Sequence, residues 1–120
     1  MLHFERDLPT HAEPVSASDL EIGETYFSVQ YLDEDLLFPK VETLILTGKE
    51  QDTGGGAVFC FQDLDSYRQG IRHGSADVMK GVFYLQDERD VKHIFKYERA
   101  VDELIKCALR RRKREQAAEG

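Results

Sequence analysis

Cysteine is scarce in this chain: of 120 residues only Cys60 and Cys107 are cysteines, and neither belongs to a CxxC pair. That excludes a disulfide framework and a structural zinc knuckle, and it points to a reducing compartment, the cytoplasm. A bilayer-crossing segment is also missing, since no run of about 18 apolar residues occurs. The opening MLHFERDLPTHAEP carries acids and Pro9 where an export signal needs a basic flank followed by a continuous apolar stretch. Basic charge is scarce in the first half, where residues 1–50 hold 3 basic and 11 acidic side chains, whereas residues 106–120 hold 6 basic and 2 acidic ones. The body therefore repels nucleic acid and anionic surfaces, and the tail attracts them.

Catalytic motifs are lacking as well. There is no GxSxG elbow around Ser28, Ser66 or Ser75. Lys49 precedes the run Gly54-Gly55-Gly56 and a strand pattern follows it, the reverse of a P-loop, so the glycines read as a hairpin tip. His3, His11, His73 and His93 show no i, i+4 pairing and no ligand spacing to the cysteines. Cys60 reads as a small core hydrophobe. The composition thus predicts no metal, no cofactor and no enzyme.

What is present is a ladder of strand patterns. Thr25, Phe27, Val29 and Tyr31 alternate with Tyr26, Ser28, Gln30 and Leu32, the period of two that a strand requires. Aromatics on both sides predict a strand covered on both faces or a curled sheet. Val41, Thr43, Ile45 and Thr47 alternate with Glu42, Leu44 and Leu46 up to Gly48; residues 57–62 and 81–86 read as third and fourth strands. Between the first two lies an acidic knot, Asp33, Glu34 and Asp35. Consecutive carboxylates point in different directions, whereas calcium loops space ligands at alternate positions with a bending glycine, so the knot is expected to be a hairpin turn.

Residues 63–80 are the least regular. Asp63 or Asp65 can cap a helical turn carrying Leu64 and Tyr67, and a loop of this length is the expected place for a small-ligand site, with His73 as its candidate base or ligand. Asp87 then reads as the N-cap of a long helix over 87–115, whose core stripe would hold Val91, Ile94, Val101, Leu104, Ile105 and Ala108. Glu98 intrudes on that stripe, which marks a kink or a junction of two helices near 96–98. As one rod it would run roughly 43 Å and overhang a domain of this size.

The expected architecture is α+β: a flexible arm over 1–18, a single domain over 19–115 built as a four-stranded antiparallel meander with a long C-terminal helix, and a disordered tail over 116–120. The stretch LEIGETYF is similar to the Leu-x-x-Gly start of SH3-like barrels, carried by Leu20 and Gly23, which implies a twisted sheet or half-barrel. The expected function is a protein-interaction or regulatory module that binds a protein partner, itself included. Its interaction candidates are Tyr26, Tyr31, Phe38, Tyr67, His73 and Tyr84. The competing expectation is a nucleic-acid binder that uses the basic patch of Lys106, Arg110, Arg111, Arg112, Lys113 and Arg114, although no aromatic is interleaved there for base stacking.

Overall fold

A computed structural model describes residues 13–51, 54–74 and 80–119. Strands β1 (Thr25–Tyr31), β2 (Pro39–Gln51), β3 (Ala57–Asp63) and β4 (Phe83–Asp87) form an antiparallel meander, with the short helix α1 (Leu64–Arg68) after β3. A fifth strand, β5 (Ile94–Phe95), pairs antiparallel with β1, and the long helix α2 (Tyr97–Glu119) follows it. The strand order is β4-β3-β2-β1-β5. An open sheet of five strands thus stands where a four-stranded meander was expected, and with β4 and β5 as its two edges it lacks the closure of an SH3-like barrel.

The segment 87–115, read as one long helix or as two meeting near 96–98, is α-helical only from Tyr97 onward. Asp87 does cap, but it caps a turn: its Oδ1 accepts the amides of Arg89 at 2.8 Å and Asp90 at 3.0 Å. A 3-10 turn over Asp90–His93 follows, the chain straightens into β5, and α2 begins at Tyr97. The break has a packing cause. Val91 and Ile94 are buried among Tyr26, Leu44 and Phe61, on the side of the sheet away from α2, which a continuous helix would have denied them.

Alternation along β1 sorts its side chains onto two faces, and both are covered. Tyr26, Leu44, Leu46, Phe59 and Phe61 pack on one face beneath Val15, Leu20, Val91 and Ile94. On the other, Val29 and Phe95 meet Ala100, flanked by Phe27, Tyr31 and Leu104. Aromatics on both sides of β1 are explained by these two cores. Residues 1–12 of the expected arm lie outside the described residues, but Val15 is buried and its amide donates to Ile94 O at 2.8 Å.

Two glycines shape the β2–β3 hairpin. Gly48 does not end β2; it sits at a register shift after Leu46, and the strand continues to Gln51. Gly55 at the tip has φ of 84°, a conformation that a Cβ would disfavour.

Candidate interaction surface

The acidic knot and the basic helix end, read separately in the sequence, meet in the fold. Asp33 makes the turn: its carboxylate accepts the amide of Phe38 at 2.9 Å and that of Leu37 at 3.0 and 3.1 Å. Some loss of solvation opposes ionisation of Asp33, but these amide donors outweigh it and hold its pKa below the ordinary carboxylate value. So tight a turn puts Leu36 at φ 59°, unusual for a residue with a side chain.

The C-terminal half of α2 lies on this turn. Arg110 donates from Nε to Leu36 O at 2.9 Å and from Nη2 to Tyr31 Oη at 2.7 Å, and Tyr31 Oη donates to Glu103 Oε1 at 2.6 Å. Burial first, then the Glu103 carboxylate, push the Tyr31 phenol well above its usual value. Arg114 Nη1 pairs with Asp35 Oδ2 at 2.7 Å, and the Arg111 guanidinium lies 5.4 Å from the Phe38 ring centre. Cys107, buried, donates from Sγ to Leu37 O at 3.5 Å. Lys106 Nζ is buried without a hydrogen-bond partner among the described residues. Of the six basic candidates, Arg110, Arg111 and Arg114 are thus committed to the hairpin, whereas Arg112 and Lys113 point to solvent.

Ala100, Leu104 and Cys107, at i, i+4 and i+7, form the inner face of α2. A second series, Tyr97, Val101, Ile105 and Leu109, runs in steps of four along another side and is 72%, 42%, 42% and 50% exposed. Val101 and Ile105 were expected in the core. Once Val91 and Ile94 leave the helix, the stripe they defined loses its anchor, and the inner face is set by the smaller Ala100 and Cys107. Tyr97 keeps one ring contact, edge-on to Phe27 at 4.9 Å between centroids. The sequence signal of this outer series is a second i, i+4 ladder, which the single expected stripe obscures because Val101 and Ile105 belong to the outer side and Leu104 to the inner one.

The interaction candidates do not converge. Tyr26 is buried and its hydroxyl accepts the Glu21 amide at 2.8 Å. Tyr31 is half-buried under α2, and Phe38 is exposed at the hairpin. Tyr67 is covered by the Arg72 guanidinium at 3.8 Å, and exposed His73 meets the Phe83 ring edge-on at 5.3 Å. Tyr84 donates to Glu42 Oε2 at 2.7 Å; that bond, with burial, pushes the phenol up to about 12.

Two places bring polar side chains together. Asp63 spends its carboxylate on closing the 63–82 loop: it accepts from Ser66 N at 2.9 Å, Ser66 Oγ at 2.5 Å and Val82 N at 2.8 Å. These donors outweigh desolvation and depress its pKa. Residues 75–79 of that loop lie outside the described residues. The second place is a cavity of about 50 Å³ lined by Ser28, Gln30, Glu42, Tyr84, Gln86 and His93, where burial lowers the His93 pKa. It has room for water or a small ion, far less than a metabolite requires. Among the described residues no three His, Cys, Asp or Glu side chains are grouped to hold a metal, and no helix is long and apolar enough to cross a membrane. Comparison with protein-family models, curated proteins and solved structures finds no match.

Proposed function

We propose that this protein is a small, non-enzymatic interaction module of the cytoplasm that engages a protein partner through the outer face of α2. The observation that carries the reading is the exposed ladder of Tyr97, Val101, Ile105 and Leu109 on a helix already seated by its opposite side. Exposed apolar side chains scattered singly are ordinary, but four in register on a rigid helix make a continuous apolar ridge of the kind that helix-in-groove contacts use. The commitment of Arg110, Arg111 and Arg114 to the hairpin favours this reading over nucleic-acid binding, which would call on those same side chains.

A photoreactive side chain placed at Val101 in the living cell tests it. The expected outcome is a protein adduct of defined mass that is absent when the probe sits at Leu85, a still more exposed apolar position on β4. Equal adducts from both positions, or none from either, would count against the proposal.

A further inference from the structure

We infer that the partner of this ridge is a second copy of the same chain, paired through α2 in antiparallel orientation about the turn of Ile105; the inference deepens the reading above and rests on it. The warrant is the distribution of charge along the helix. The ridge is flanked near its start by the exposed Glu98 and near its end by the exposed Arg112 and Lys113, while Asp102 is buried against Arg99, and Glu103, Arg110, Arg111 and Arg114 serve contacts within the chain. Ile105 lies at the midpoint of the ridge together with its basic continuation, residues 97–113. A twofold axis there sets Val101 beside Leu109 of the second copy and brings Glu98 within one turn of the second copy's Arg112 and Lys113.

Both Arg112 and Lys113 are exposed and are not taken up by the hairpin. Glu98 is exposed too, and a carboxylate has lone pairs enough to accept a cation across the interface beside its contacts within the chain. Parallel pairing, by contrast, would set Glu98 against Glu98 and Arg112 against Arg112, so charge selects the antiparallel form as e and g positions do in coiled coils. Such an interface is isologous and closes at two copies. Four partly exposed apolar side chains per copy fall short of a standard interface, so the dimer is weak and depends on concentration.

Sedimentation velocity on the purified full chain over a range of concentrations at low salt tests this. A reversible dimer is expected. Ile105→Glu shifts its midpoint upward by roughly a hundredfold, the loss typical of a central interface position, with the far-UV circular dichroism and melting temperature unchanged. Glu98→Arg and Arg112→Glu each weaken it roughly tenfold, because two ion pairs per dimer become repulsions; the double variant regains the loss. A dimer indifferent to Ile105→Glu, or a double variant no better than the singles, overturns antiparallel self-pairing. A chain that stays monomeric while the Val101 probe still captures another protein overturns the self-pairing and leaves the docking reading intact. A monomer with no capture overturns both.

Discussion

The two apolar sides of α2 have nearly the same chemistry and opposite surroundings. Ala100, Leu104 and Cys107 lie against the sheet, whereas Tyr97, Val101, Ile105 and Leu109, the larger set, stand in solvent. Size alone would have buried the second set. Close approach decided otherwise, since small residues let the helix backbone come near Val29 and Phe95 and allow Cys107 and Arg110 to reach the carbonyls of the hairpin. Hydrophobicity that is not needed to seat a helix is therefore informative about what else the helix does.

Adjacent substitutions sharpen this contrast most. Ala100→Asp buries a carboxylate among Val29 and Phe95 and should cost about 3 kcal/mol or more, while Val101→Asp, one residue on, should stay within about 0.5 kcal/mol; urea unfolding of the two variants distinguishes them. Equal losses would erase the distinction between the sides.

A smaller effect is expected from the seat. Asp33→Ala removes the acceptor of the Leu37 and Phe38 amides, so the hairpin tip loosens and the C-terminal half of α2 loses protection in hydrogen exchange, with the β3–β4 amides unaffected. The same reasoning gives a pH dependence. Asp33 and Asp63 both have folded pKa values below their unfolded values, so their contribution is present above the unfolded value, near 4, and is lost as pH falls through the depressed folded one. Melting temperature should fall below about pH 4, less steeply in Asp33→Ala.

Next come the arginines. Arg110→Ala leaves Leu36 O and Tyr31 Oη without their donor and should cost about 1 kcal/mol, whereas Arg112→Ala should leave monomer stability unchanged. The smallest effect belongs to Arg114→Ala, since its pair with Asp35 is 62% and 68% exposed on its two sides; it is worth about 0.5 kcal/mol or less and should vanish at high salt.

Much of the sheet was legible because alternation is a local property. Tyr26 and Phe27 sort onto opposite faces by position alone, and β1 to β4 begin and end within a few residues of the sequence reading. The turn at Asp33 was legible for the same reason, through the affinity of its side chain for nearby amides. β5 was not, since two residues carry no period, and Ile94 happens to fall in phase with the helix that follows. The inner and outer sides of α2 were not legible either, because which ladder meets the sheet depends on where the helix starts, and that start is set by β5 pairing with β1. Nor could sequence show that the hairpin around residues 33–38 and the cations of 110–114 meet, with Asp35 paired to Arg114 and Leu36 O bonded to Arg110. That pairing is tertiary.

The bond between Arg110 and Tyr31 joins positions 79 residues apart. Closing so long a span costs chain entropy that only a preformed hairpin can offset, so α2 should settle last, after β1 to β4 have assembled. During synthesis the β1–β2 tip waits, with Tyr31 uncovered and its turn already shaped, until residue 110 emerges. A nascent chain halted before residue 110 would hold a finished sheet and an empty saddle.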